Sequence, residues 1–151
     1  GYASEVSSLC FEITESSNVE NMDQVIKLAR NLLNRGAMVA IDDYGKEGAN
    51  LVRIMKIPFS IIKLDKEVIW SIDESEFSKT AVLGIINFFH QLGIQVTAEG
   101  IETHSQAEEI AGMGCDNFQG FLISRPLPFE AFCTRIEENQ GWTAKKEKEP
   151  L

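Results

Sequence analysis

Val39-Ala40-Ile41-Asp42-Asp43 reads as a short apolar strand that ends abruptly in two carboxylates. Three further runs share its form: Cys10-Phe11-Glu12-Ile13-Thr14-Glu15, Ile61-Ile62-Lys63-Leu64-Asp65 and Val96-Thr97-Ala98-Glu99. A stretch of helical character follows each run, so the chain alternates β and α. Such alternation predicts an α/β fold with a parallel sheet, in which every strand aims its carboxyl end at one mouth. That mouth is where α/β folds place their chemistry. Acids recurring there repel one another, and a bound divalent cation is the usual compensation.

Side-chain alternation gives an independent test of this reading, because successive strand residues face opposite ways. One parity class holds Phe11 and Ile13, Val39 and Ile41, Ile62 and Leu64, and Ile94, Val96 and Ala98. It is apolar throughout and suits a face covered by helices. The other class holds Cys10, Glu12 and Thr14, Ala40 and Asp42, Lys63 and Asp65, and Gln95, Thr97 and Glu99. The chemistry falls in this second class, apart from Asp43 and Glu15 at strand ends. An inner face that is polar at its C-terminal mouth is the pattern of a (β/α) barrel.

The intervening segments carry helix signals. Met22, Val25, Ile26, Ala29, Leu32 and Leu33 predict an amphipathic helix over Asn18 to Asn34, capped by Ser17 or Asn18 and closed by Gly36. A short helix is expected from Ala49 to Met55, stopped before Pro58. Phe77, Ala81, Val82, Ile85, Ile86 and Phe89 repeat the amphipathic pattern over Ser75 to Leu92, closed by Gly93. Thr103 caps a shorter helix ending at Gly114, Phe118 to Ser124 reads as a fifth strand, and Pro128 begins a last helix. A closed barrel takes eight strands and roughly 250 residues. The expectation is a partial TIM-like barrel of about five βα units, whose open edges need covering by a second copy or by rearrangement. The barrel portion spans residues 1–140. The charged, patternless residues 141–151 are expected to form a disordered tail.

Composition narrows the function classes. The chain has 151 residues and a net charge of −9, which argues against a partner held by phosphate neutralisation, such as a nucleic-acid polymer. A small anion remains compatible, because a metal reverses the sign locally. No apolar run reaches the roughly 20 residues of a membrane span. Cys10, Cys115 and Cys133 lack metal-ligand spacing and read as reduced thiols of a cytoplasmic protein, although the parent protein could be membrane-tethered. His90 and His104 are too few and too scattered for a histidine metal site and read as ordinary surface or packing residues. The opening Gly1-Tyr2, without methionine, suggests a piece of something longer.

Taken in order, the motifs resemble a known family. Phe11-Glu12-Ile13-Thr14-Glu15-Ser16, Ile41-Asp42-Asp43-Tyr44-Gly45, Lys63-Leu64-Asp65, Ala98-Glu99-Gly100-Ile101-Glu102-Thr103, Gly114-Cys115-Asp116 with Gln119-Gly120-Phe121, and Ser124-Arg125-Pro126-Leu127 are similar to the C-terminal two-thirds of the EAL domain. That family comprises bacterial cyclic di-GMP phosphodiesterases of second-messenger signalling. The resemblance implies two divalent cations, Mg²⁺ or Mn²⁺, with Glu12, Asp42 and Asp43 as ligands. It implies catalytic roles for Lys63, which orients the attacking water, for its neighbour Asp65, and for Glu99 as general base or organiser of the metal site. By the same resemblance Glu102 and Gln119 hold bound nucleotide or metal-bound water, Arg125 and Pro126 line a guanine pocket, Glu15 anchors the loop after the Asp-Asp pair, and the product is linear pGpG. The family's Glu-Ala-Leu strand and a downstream asparagine would precede Gly1, so this stretch alone is expected to be inactive. The segment Lys46-Glu47-Gly48-Ala49-Asn50 stands where the family has Thr-Gly-Tyr-Ser-Ser, in a loop that couples metal binding to dimerisation.

The residues by themselves leave simpler roles open. Asp42-Asp43 suits a solvated turn, Glu99 and Glu102 suit a helix N-terminus, Gln119 suits an ordinary strand position, and Arg125 suits a surface ion pair. Lys63 is harder to explain so simply, because a charge inside an apolar strand needs partners. Besides the enzyme, the readings are a degenerate module that binds cyclic di-GMP or a protein partner without catalysis, and a barrel glycosidase with paired acids. The lysine-bearing strand and the adjacent aspartates fit the glycosidase poorly.

Overall fold

The computed structural model describes residues 6–14, 21–46 and 50–137. Five parallel strands form one sheet in sequence order: β1 (Cys10–Thr14), β2 (Met38–Tyr44), β3 (Ile61–Leu64), β4 (Gln95–Ala98) and β5 (Asn117–Phe118). The connecting helices are α1 (Met22–Asn34), α2 (Leu51–Ile54), α3 (Lys66–Trp70), α4 (Glu76–Gln91) and α5 (His104–Gly112), and α6 (Phe129–Glu137) closes the described chain. A 3₁₀ turn, Ser71–Asp73, links α3 to α4. This is the expected α/β arrangement of barrel-type βα units. No described helix is long and apolar enough to cross a membrane.

The parity argument translates directly into register. Ile13 lies opposite Ile41, Ile41 opposite Ile62 and Ile62 opposite Val96, so one apolar row crosses four strands. A second row joins Leu64 to Ala98 and Ala98 to Phe118. These rows meet Ala29 of α1, Ile69 of α3, Val82, Ile86 and Phe89 of α4, and Ala107 and Ile110 of α5 in one core. Burying each large member contributes about 1.5–3 kcal/mol. Phe89 is fully buried and packs edge-on against Tyr44, with ring centroids 5.3 Å apart. Phe11 departs from the expected covered face. It is 40% exposed because β1 is an edge strand of the described sheet and has a neighbour on one side only.

Helix boundaries follow capping chemistry. Asn21 caps α1 by accepting from Gln24 N, whereas the start expected at Ser17 or Asn18 lies outside the described residues. Asn50, Ser75 and Thr103 cap α2, α4 and α5, the last with Gln106 in a reciprocal capping box. Ala49, the expected start of the second helix, lies outside the described residues, as do Glu15 and the tail over 141–151.

Two elements differ from expectation. The fifth strand runs only over Asn117–Phe118 rather than to Ser124. Gly120 sits against the backbone of Ile101 with no room for a Cβ, and its carbonyl then accepts from Ile123 N and Ser124 N. The chain turns there instead of pairing. Helix α3 was not anticipated; its signal is Asp65, which accepts from Glu67 N at 2.8 Å and starts the helix at the end of β3.

Candidate acidic site at the mouth of the sheet

Lys63 is the centre of the site. Its side chain is 8% exposed, and Nζ lies 2.8 Å from Glu12 Oε1, 2.8 Å from Asp42 Oδ1 and 2.7 Å from Glu99 Oε1. Four strands thus bring one cation and three carboxylates to a point. Burial disfavours the charged ammonium, but its close contacts with the carboxylates of Asp42, Glu12 and Glu99 outweigh it and hold the pKa above the usual lysine range. Lys63 is therefore charged at any physiological pH.

Asp43 joins the site through a backbone irregularity. The register between β2 and β3 shifts between Ile41 and Tyr44, and Asp43 adopts φ 60°. A bulge lets two consecutive residues serve one side of a sheet, which strict alternation forbids. The left-handed conformation is one that aspartate tolerates better than most residues. Asp42, Asp43 and Glu99 each bring a carboxylate oxygen within 4.8 Å of the others. Burial raises the pKa of Glu99, and the charges of Asp42 and Asp43 add to the rise against the opposing pull of Lys63.

The donor set suits a hard divalent cation. All the candidate atoms are carboxylate oxygens, the ligand type preferred by Mg²⁺ and Mn²⁺. The Oδ1 atom of Asp42 is shut off from solvent and finds no well-directed hydrogen bond among the described residues. Lys63 compensates that oxygen by charge, and the atom keeps a lone pair for a further electropositive partner. Among the described residues Glu12 lies outside the three-acid group and is joined to it through Lys63.

The remaining expected residues lie around this centre in different ways. Asp65 is 5% exposed and spends its carboxylate on capping α3 rather than on the Lys63 cluster. Glu102 is exposed, and its backbone N–H donates to Gln106 Oε1 at the start of α5. Gln119 is exposed, with its N–H donating to Ala98 O at 2.8 Å and its carbonyl accepting from Ile101 N. The Arg125 guanidinium stacks 4.5 Å over the Phe121 ring, and among the described residues it has no carboxylate partner. Pro126 is exposed beside it, and Glu15 is outside the described residues. Sequence reading missed the contact of α3 with the turn after β4, since a five-residue helix shows no usable period.

His90 is more than a plain surface residue. Its Nε2 lies 2.8 Å from Asp116 Oδ2, which also accepts from Val96 N at 2.7 Å. Burial works against the Asp116 charge, yet the Val96 N–H and His90 outweigh it and hold the carboxyl below its usual range. This triangle ties the C-terminal turn of α4 to the starts of β4 and β5.

Comparison with known proteins agrees with this layout. The family model of the EAL domain matches residues 2–126. The signaling protein YkoW of Bacillus subtilis is 36% identical over 121 residues, which cover 80% of this chain and 15% of that protein. MucR of Pseudomonas aeruginosa, a bifunctional diguanylate cyclase/cyclic di-GMP phosphodiesterase, is 31% identical over 87% of this chain and 19% of its own length. The crystal structure of the EAL domain of Mycobacterium smegmatis DcpA superimposes with a TM-score of 0.79 at 30% identity, covering 87% of this chain and 59% of that one. The chain thus spans less than a fifth of these two curated relatives and over half of the solved domain. The parallel sheet, the ordered motifs and the family match agree: the chain belongs to the EAL domain family.

Proposed function

We propose that this chain supplies part of the catalytic mouth of a metal-dependent phosphodiesterase that opens cyclic di-GMP to linear pGpG. The observation that carries the reading is the Lys63 ammonium, held within 2.8 Å of Glu12, Asp42 and Glu99 beside the three-acid group of Asp42, Asp43 and Glu99. The activity for which MucR of Pseudomonas aeruginosa is named supports the choice of substrate. Glu12, Asp42 and Asp43 would hold Mg²⁺ or Mn²⁺, with Glu99 completing or organising the set. Bound cations supply a hydroxide at neutral pH and neutralise charge on the phosphate.

The chain's own residues account for the rest of the chemistry. Lys63, charged and desolvated, orients the attacking water and offsets negative charge developing on the phosphate. Glu99, with its raised pKa, is suited to accept a proton at a carboxylate oxygen. Asp65 acts indirectly, by anchoring α3 behind the lysine strand. Glu102, Gln119, Arg125 and Pro126 form the exposed rim where a nucleotide would lie, with the Arg125–Phe121 stack as its flat apolar element. Exposed apolar side chains, among them Phe11 on the edge strand β1 and Phe121 in the turn after β5, suit cover by further barrel elements or by a second copy.

One observation favours a second reading, a module that binds cyclic di-GMP without turning it over. Lys63 already offsets part of the charge of Glu12, Asp42 and Glu99, which lessens the cluster's need for a cation. The experiment uses the longer parent protein with Mn²⁺ and cyclic di-GMP, with pGpG followed by chromatography. Turnover establishes the enzyme. Binding at micromolar ligand without any pGpG would overturn it in favour of the receptor.

A further inference from the structure

Glu99 follows directly on β4 and precedes Gly100, which has φ +69°. Its carboxylate is therefore aimed by a turn as well as by the strand. Backbone bonds secure both sides of that turn: Glu99 N donates to Leu64 O at 3.1 Å, and Ile101 N donates to Gln119 O at 3.1 Å. Between them, the Gly100 carbonyl accepts from the indole Nε1 of Trp70 at 2.9 Å. Trp70 is the last residue of α3, and α3 starts at the Asp65 cap, two residues beyond Lys63. Lys66 lies over the indole with Nζ 5.2 Å from the ring centre. Gly100 has no room for a Cβ against the Lys66 side chain, and Gly45, after the Asp-Asp pair, has none against Val68. Helix α3 is thus wedged between the two acid-bearing turns.

The contacts form a closed ring. It runs from Lys63 through Asp65 and α3 to Trp70, across to Gly100 and Glu99, and back through the 2.7 Å ion pair of Glu99 with Lys63. We propose that Trp70 is a positioning residue, whose indole N–H holds the Gly100 carbonyl and so sets Glu99 against the Lys63 ammonium. This rests on the reading that Glu99 and Lys63 work as a pair, and it assigns their alignment to a side chain outside the motifs.

The test is made on the full chain without metal, so that failure of the metal reading leaves it intact. Trp70→Phe keeps an aromatic ring for Lys66 and removes the donor together with part of the ring surface. Two readouts are taken by ¹⁵N NMR: exchange of the Ile101 amide, and the Lys63 ammonium signal, which a tight ion-pair cage protects from water. The expected result is amide exchange about tenfold faster, together with broadening or loss of the ammonium signal. Trp70→Leu, which also removes the surface under Lys66, is expected to show the same losses and serves if the first variant does not fold. An unchanged ammonium signal overturns the proposal, even where exchange rises, because Trp70 would then hold the turn without placing Glu99. Separately, failure of the wild-type chain to bind Mn²⁺ strikes the metal reading alone.

Discussion

Replacing Lys63 with methionine removes the one charge on which three strands' carboxylates converge. The methionine fills most of the lysine stem's volume, so the cost is chiefly electrostatic. Breaking a buried ion pair by removing one partner costs about 3–5 kcal/mol. The Lys63 side chain is 8% exposed, but its partners Glu12, Asp42 and Glu99 are 49%, 21% and 16% exposed. Water therefore shares in solvating the bared carboxylates, and the lower end applies, about 3 kcal/mol. For a chain of this size that lowers Tm by about 10 °C. The pH dependence has a definite sign. The folded-state pKa of Glu99 is already raised by burial and by Asp42 and Asp43, and losing Lys63 raises it further. A carboxyl with a raised folded pKa stabilises the fold when protonated, and that contribution is lost as pH rises through the folded value. The deficit of Lys63→Met is therefore full at neutral pH and shrinks as the solution is acidified through the Glu99 pKa. Circular-dichroism melting at neutral and mildly acidic pH measures both effects. An unchanged Tm at neutral pH, or a deficit that grows in acid, refutes Lys63 as the hub of the cluster.

Further outcomes follow from other parts of the structure. Asp116→Ala removes the acceptor of Val96 N and the partner of His90, and is expected to cost about 1 kcal/mol at neutral pH. Because the Asp116 pKa is lowered in the fold, this contribution is present above the unfolded value and lost as pH falls through the folded one, so wild-type and variant melting curves converge in acid. Cys115 is buried, its thiol is pushed up to about 11 by desolvation, and it donates to Val96 O. In a thiol-labelling time course exposed Cys10 reacts first and Cys115 reacts only on unfolding; early labelling of Cys115 would contradict the packing.

How far the sequence could be read depended on whether a feature has a period. Val39, Ile41, Ile62, Leu64, Val96 and Ala98 obey strict alternation, so the apolar face and the strands that share it were legible at once. Lys63 was legible as a residue in need of partners, and Glu12, Asp42, Asp65 and Glu99 shared its parity class. Which acids it would meet was settled by register, with Lys63 opposite Thr97 and Glu99 two residues beyond. Asp43 broke parity because a bulge, invisible in composition, turns it toward the mouth. Phe121, Leu122 and Ile123 look like strand, but Gly120 seated on Ile101 ends the pairing before them. Helix α3 is shorter than any helical period can reveal. It was announced only by Asp65, whose place in a motif drew attention to catalysis rather than to capping.

The central claim is that the strand-end carboxylates form a divalent-cation site, and Mn²⁺ binding followed by electron paramagnetic resonance tests it most directly. At neutral pH the wild-type chain is expected to deplete the free Mn²⁺ signal, and Asp42→Asn combined with Asp43→Asn to restore it to that of a protein-free solution. Equal free Mn²⁺ in the two proteins would contradict the account.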